Sequence, residues 1–187
     1  FKQKTAYEIV DCDWSSDVCS SDLMQFADFV TCGYNQIVNN LAKSHYRWGQ
    51  PANVVVRMPT GAGVQAGPFH SQSTEAWFYH VPGLKIYYPS TPADAKGLLM
   101  RAIEDPNPVL FFEHKLLYRS VSGGVAAAPF LLEEGNATVH NHGNDFCIVT
   151  YGWGVHKALE CIQEHQLRGR VVDLRTLIPW DKNEVAA

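Results

Sequence analysis

Apolar and polar positions alternate with three different rhythms along this chain, and each predicts a different element. Phe26, Phe29, Val30, Gly33, Ile37, Val38 and Leu41 recur at helical spacing and predict a helix over roughly 27–45. Val54 to Met58 is a short β-branched run ended by Pro59, as expected of a buried strand. A second helix is expected after residue 70, capped by Ser71 or Ser73 with Glu75 in its first turn, and ending near Pro82-Gly83. Leu84 to Tyr88 reads as the next strand. Thr91-Pro92-Ala93-Asp94 is a helix start, with threonine as cap, proline at the first helical position and an acid three residues after the cap. That helix carries Ala95, Leu98, Leu99, Ala102 and Ile103 on one face and ends near Asp105-Pro106, before a third strand at Val109 to Phe112.

Strands separated by helical segments predict an α/β fold, a parallel sheet with flanking helices. The periodicity then fades into small, polar and turn-rich residues, so 123–143 reads as a linker between a domain over 24–122 and a further α/β unit over 144–187. In that unit a strand at Phe146 to Tyr151, a helix near Val155 to Gln166 and a strand at Val171 to Leu174 are expected, with too little sequence after them to close a domain.

The first 23 residues fit none of these rhythms. Their Ser/Asp-rich core, DWSSDVCSSD, has neither period nor the layout of a signal peptide. Residues 1–23 therefore read as adapter-derived sequence foreign to the fold, or as a disordered tail, and Cys12, Cys19 and Trp14 carry no functional weight.

Composition narrows the function classes. The chain has 187 residues, is 46% hydrophobic and 18% charged, and has a net charge of −4 with no dense Lys/Arg run. That balance argues against nucleic acid or an anionic membrane surface as partner. No apolar stretch approaches the roughly 20 residues that a membrane-spanning helix needs. The five cysteines form no CxxC pair and read as free thiols of a reducing, cytoplasmic compartment.

Candidate chemistry centres on residues 61–73, GAGVQAGPFHSQS. Glycine permits backbone angles closed to other residues, so this is a shaped loop between a strand and a helix. His70 is suited to proton transfer near neutral pH; from composition alone, a histidine that merely holds its own loop is equally compatible. Phe29 reads by period as a core aromatic. Asp105-Pro106-Asn107 reads as a turn whose side chains satisfy one another. His80 is expected at a packing contact and His114 as a loop anchor. His140 and His142 lack a third ligand for zinc, and Glu75 and Glu113 do not form a credible acid/base pair.

Three separated strings, GPFHSQSTEAWFYHVPGLKIYYPSTPADAKGLL, AIEDPNPVLFFEHKLLYR and VVDLRTLIPWD, together resemble the beta subunit of thiamine-diphosphate-dependent 2-oxo acid dehydrogenases, over about residues 24–185. The loop and the FFEHKLLYR string favour branched-chain (2-oxoisovalerate) or fused alpha-beta forms over pyruvate forms. The resemblance implies a pyrimidine-binding domain followed by the start of a transketolase-type C-terminal domain. It implies thiamine diphosphate shared with an alpha subunit or fused alpha half that holds the diphosphate and magnesium, a second beta subunit, and a lipoyl acyltransferase as acceptor. Residue by residue, it implies that His70 positions substrate and shuttles a proton. It also implies that Phe29 packs on the aminopyrimidine, that Gln25 lies on the cofactor side, and that Val55, Ala102, Asp105 and Asn107 wrap a potassium ion. The glutamate that activates the cofactor in this family would lie upstream of Gln25, where Glu8 sits in no matching motif, so the chain alone is expected to be inactive. Transketolase or deoxyxylulose phosphate synthase-like activity is the alternative within this architecture, and a noncatalytic α/β assembly module the alternative outside it.

Overall fold

The computed structural model of the chain describes residues 20–187; Glu8, Cys12, Trp14 and Cys19 lie outside them. Its strands, in chain order, are β1 (Ser20–Leu23), β2 (Val54–Thr60), β3 (Lys85–Tyr87), β4 (Val109–His114), β5 (Thr138–His142), β6 (Phe146–Thr150), β7 (Gly169–Asp173) and β8 (Thr176–Ile178). Its α-helices are α1 (Ser44–Trp48), α2 (Pro92–Glu104), α3 (Leu117–Ser120), α4 (Trp153–Glu164) and α5 (Lys182–Ala186). Among the described residues the strands form a sheet in the order β1-β2-β4-β3-β8 and a second in the order β5-β7-β6.

The first sheet grows outward from β2 and β4, which run parallel from Val55↔Val109 to Thr60↔His114. Strands of a parallel sheet are covered on both faces, which is why each begins with an unbroken apolar run, Val54–Val56 and Val109–Phe112. Val55, Val109, Phe111 and Tyr87 pack on one face against Leu98 and Ala102 of α2. Val54, Val56, Met58, Leu110 and Phe112 face the other way, into a cluster with Val30, Ile37 and Phe78. The α2 cap forms as the sequence predicts: Asp94 N–H donates to Thr91 Oγ1 at 3.1 Å, and Pro92 opens the helix. Ser20–Leu23 pairs parallel with β2, so the last residues of the aperiodic segment are taken up at the sheet edge.

Two predicted helices differ in the structure. The stretch over 27–45 is a chain of short pieces, a tight 3-10 segment at Ala27–Gly33, a wide π-type turn at Gln36–Asn40 and a further tight turn before α1. Its TCGYNQIVNN core is made of weak helix formers, so packing rather than propensity sets its path. The helix expected after the glycine loop is reduced to a single 3-10 turn at Glu75–Trp77, preceded by Thr74 and not capped by Ser71 or Ser73. Aromatic packing wins there. Phe78 is fully buried, with its ring 5.2 Å from Tyr34 and 6.5 Å from Phe112. Gly83 (φ +96°) then turns the chain against the Ala42 carbonyl, leaving no room for a side chain.

Three strands have no counterpart in the sequence pattern: β1, within the aperiodic first 23 residues, β5 and β8. β5, inside the predicted linker, is polar (TVHNH) and so carries no apolar strand signal; it lies at one edge of its sheet, antiparallel to β7. β8 is three residues long and pairs antiparallel with β3, which returns the C-terminal segment to the first sheet. The string DLRTLIPWD makes that corner. Asp173, fully buried, accepts from the Arg175 N–H at 3.1 Å and from the Ser90 hydroxyl. Thr176 Oγ1 donates to Pro179 O at 2.6 Å and accepts from Gly135 N–H at 2.9 Å. Asp181 accepts from Glu184 N–H and Ala137 N–H, both at 3.0 Å, and these donors hold its carboxyl below the usual range.

Glu75 joins the two halves of the chain. Its Oε1 accepts from Tyr151 O–H at 3.1 Å, while its Oε2 is buried without a hydrogen-bond partner among the described residues. Burial pushes this carboxyl above its ordinary value. The folded chain then holds the proton more tightly than the unfolded chain, so stability falls as pH rises from the ordinary carboxylate range through the folded value. Glu75→Gln, which keeps the acceptor for Tyr151, is expected to melt a few degrees above the wild type at pH 8. The gap should close near pH 4, as read by thermal unfolding across pH; a variant that melts lower at pH 8 would contradict this.

Candidate functional site

Parallel strands deliver their chains to one edge of the sheet, and binding sites collect there. β2 and β4 end side by side at Thr60 and His114. From Thr60 the chain enters the glycine loop, and from His114 it passes to Lys115. The loop closes on its own start: Gly61 N–H donates to Gln72 O at 3.1 Å and Thr60 Oγ1 to the same oxygen at 2.9 Å. Gly61 has φ +85°, and a Cβ there would fall inside the His114 ring. His114 thus serves as the wall behind the loop. Its Nδ1 accepts from Leu116 N–H at 3.3 Å, its ring stacks on Trp153 at 5.5 Å, and burial lowers its proton affinity.

At the far end of the loop, Pro68–His70 forms a 3-10 turn in which His70 N–H donates to Gly67 O at 3.2 Å. The turn sets the imidazole edge-on against two neighbouring aromatic rings, 6.4 Å apart. Its centroid lies 5.1 Å from Phe26 at 88° and 5.6 Å from Phe29 at 76°. Phe29 is no core aromatic, the reading its period favours: it is 40% exposed, with its ring beside His70. Ala27, Asp28 and Val30 turn inward instead and anchor the segment. Gln25 is exposed just ahead of Phe26.

Two buried charges complete the site, and sequence reasoning missed both, together with Phe26. Asp28 Oδ1 accepts from Gln72 N–H at 3.0 Å, and its Oδ2 has no hydrogen-bond partner among the described residues. Lys115 is 6% exposed; its Nζ donates to the His70 carbonyl and lies 4.4 Å from the centre of the Phe26 ring. Burial lowers the Lys115 proton affinity, and Asp28 opposes that shift. Edge-on ring contacts contribute about 0.5–1.5 kcal/mol each, whereas hydrogen bonds to a charged group contribute about 1.5–3 kcal/mol. The lysine contact therefore outweighs either ring contact in deciding where the His70 backbone lies. Position is the one signal the sequence offers: a lysine directly after the strand end Glu113-His114, and a lone acid within the aromatic string QFADF.

The remaining sequence candidates resolve as follows. Glu113 is bound by Arg57 at 2.5 and 2.9 Å and by Tyr118 O–H at 2.7 Å, which commits it to an ion pair away from Glu75. His140 Nε2 lies 3.7 Å from Asp173, and the described residues contain no group of three or more His, Cys, Asp or Glu that could hold a metal. Val55 and Ala102 share one apolar cluster, and the turn after α2 brings in Asp105 and Asn107. Asp105 Oδ2 meets Lys85 Nζ at 2.5 Å, and its Oδ1 accepts from Asn107 N–H and Nδ2 at 2.9 and 3.0 Å. Burial raises the proton affinity of Asp105, but Lys85 and the Asn107 amides outweigh it, and the carboxyl stays below its usual range.

Residues 23–121 match the transketolase pyrimidine-binding domain, and residues 135–187 match the transketolase C-terminal domain. The chain belongs to the transketolase pyrimidine-binding family. Within it, the chain is 48% identical over 169 residues to the 2-oxoisovalerate dehydrogenase subunit beta of Bacillus subtilis, covering 87% of this chain and 51% of that protein. It is 43% identical over 167 residues to the subunit beta of acetoin:2,6-dichlorophenolindophenol oxidoreductase from Cupriavidus necator, covering 87% and 49%. It is 40% identical over 171 residues to the pyruvate dehydrogenase E1 component subunit beta of Bacillus subtilis, covering 88% and 52%. A solved split-gene transketolase, an inactive beta4 tetramer, superposes with a TM-score of 0.66 at 26% identity, over 89% of this chain and 51% of that one. The chain spans about half the length of the curated relatives it matches. No helix among its described residues is long and apolar enough to cross a membrane.

The loop geometry separates two glycines of the same family segment. Gly67 (φ +76°) has open space around its Cα, whereas Gly61 faces the His114 ring. Gly67→Ala is expected to cost only the left-handed strain, about 1–2 kcal/mol. Gly61→Ala adds a clash with a walled ring and should cost clearly more in urea unfolding. Equal costs at the two positions would show that His114 is free to move aside.

Proposed function

We propose that this chain is part of the beta subunit of a thiamine-diphosphate-dependent 2-oxo acid dehydrogenase, acting on a branched-chain 2-oxo acid in preference to pyruvate. The supporting observation is the open Phe29 ring beside a fixed His70, at the strand-end edge of a pyrimidine-binding domain. A flat heterocycle laid on Phe29 would gain stacking and burial on a face that is otherwise wet. The identities with dehydrogenase beta subunits support this class over a transketolase-like activity, for which the likeness is 26%.

When bound, thiamine diphosphate supplies the electron sink for decarboxylation. The part played by this chain is to hold and exclude. Phe29 and Phe26 present apolar surface that keeps water from the ring side of the site. Gln25, exposed next to Phe26, lies within the segment that would border the cofactor. His70 offers an imidazole that can give or take a proton at Nδ1 or Nε2 during acyl transfer to a lipoyl arm. An alpha subunit or fused alpha half would carry the diphosphate and its magnesium. A second beta subunit and a lipoyl acyltransferase would complete the assembly, in the cytoplasm of a bacterium. The domain division expected from the sequence is kept on this proposal with two edges moved: β1 (Ser20–Leu23) counts with the pyrimidine-binding sheet rather than with the foreign segment, and β5 (Thr138–His142) with the C-terminal unit rather than with the linker.

A potassium ion is compatible with the turn after α2 on restricted terms. Lys85, shared with Glu134, occupies Asp105 Oδ2, and the Asn107 amides occupy Oδ1, so the ion would rest mainly on the carbonyls of Val55 and Ala102 and the side-chain oxygen of Asn107. Such oxygens suit a hard cation.

His70→Ala in the enzyme assembled with its alpha partner is expected to lower acyl transfer to lipoyl acceptor by about 100-fold. Its melting temperature should stay within a degree or two of wild type. Unchanged acyl transfer would contradict the role given to His70, and measurable decarboxylation by the chain alone would contradict its placement as one part of a shared site.

A further inference from the structure

We propose that Lys115 is the positioning residue of the His70 loop, and that its ammonium, with Asp28 as the second point of a clamp, decides where the imidazole sits. The inference rests on the site proposed above and adds two residues to it.

The loop is long and glycine-rich. Four of its positions, Gly61, Gly63, Gln65 and Gly67, have left-handed backbone angles, and most of its residues are exposed. Such a segment has little packing of its own to fix its tip. His70 is nevertheless held on both sides. On its own carbonyl, Lys115 Nζ donates a hydrogen bond. Two residues on, Gln72 N–H donates to Asp28 Oδ1 at 3.0 Å, and the Gln72 carbonyl accepts from Thr60 Oγ1 and Gly61 N–H. Both charged members of the clamp are more than nine-tenths buried, Lys115 at 6% and Asp28 at 7% exposure.

Lys115 is fixed in its turn. Its backbone N–H donates to Thr60 O at 3.0 Å, which ties it to the end of β2. Its ammonium sits 4.4 Å from the Phe26 ring centre, in the range of a cation–π contact. Phe26 is the same ring that meets the His70 imidazole edge-on at 88°. One cation therefore fixes the His70 backbone and one of the two rings that orient its side chain. A lysine that served only the sheet would not need to reach across to residue 70.

The test is read without cofactor or turnover, so it fails separately from the proposed reaction. In the full chain, the His70 ring-proton resonances should be displaced by the ring currents of Phe26 and Phe29. Lys115→Met keeps the apolar stem and removes donor and charge. It should return those resonances toward free-histidine positions and speed amide exchange at Gly61, His70 and Gln72 by on the order of tenfold or more. Amides of β2 and β4 should stay within about twofold, and Lys115→Arg should retain the wild-type pattern. If Lys115→Met does not fold, Lys115→Gln, which keeps a neutral donor, is expected to show a partial form of the same loosening. His70 signals and loop exchange equal to wild type in the folded neutral variant would overturn the proposal. So would loosening spread evenly through β2 and β4, because the lysine would then support only the sheet.

Discussion

The parallel pairing of β2 with β4 is the constraint on which the rest of the site depends. It ends both strands at one level, Thr60 beside His114, and so brings together two segments more than 50 residues apart in the chain. From one end leaves the glycine loop, and from the other leaves Lys115. The His114 ring closes against Gly61 so tightly that no side chain fits between them. The loop has few internal contacts, and its shape is borrowed from this edge through Thr60, His114, Asp28 and Lys115. The sheet itself is held by ordinary apolar burial on both faces.

This division of labour places stability and function in different residues. β2 and β4 are buried almost throughout and can support a mobile-looking composition at their ends. The loop carries the polar chemistry, and the charges that hold it are the costly part. Buried ammonium and carboxylate groups with incomplete partners oppose folding, and a cost of this kind at Lys115 and Asp28 is consistent with a role in fixing His70. The C-terminal residues add a second constraint. β8 pairs with β3, and the buried Asp173 bonds to Ser90, so the segment that matches the C-terminal domain also borders the pyrimidine-binding sheet.

Much of the fold was legible in the sequence because its strongest signals are local. The Thr91 cap, the β-branched run at Val54–Val56 and the apolar run at Val109–Phe112 each specify an element without help from elsewhere. The reading failed where long-range packing overrode local preference. Tyr34, Phe78 and Phe112 pull their segments together and replace regular helix with tight turns. β5 is polar along its length, and β8 is too short to carry a period. Within the site, His70 was legible from its loop. The period of Phe29 points to a core that it does not join, and the cofactor-side role proposed for it comes only from the family resemblance. Lys115 and Asp28 were not legible, since a single charge after a strand usually means solvent, and only the folded path turns these two inward.

On the function proposed here, the open face of Phe29 is the seat of a flat cofactor ring, with His70 held beside it. A crystal structure of the chain assembled with its diphosphate-binding partner and thiamine diphosphate tests this most directly. The aminopyrimidine is expected in van der Waals contact with Phe29, at about 3.5–4 Å, with the His70 carbonyl still bonded to Lys115. An aminopyrimidine seated elsewhere, with Phe29 covered by protein instead, would contradict it.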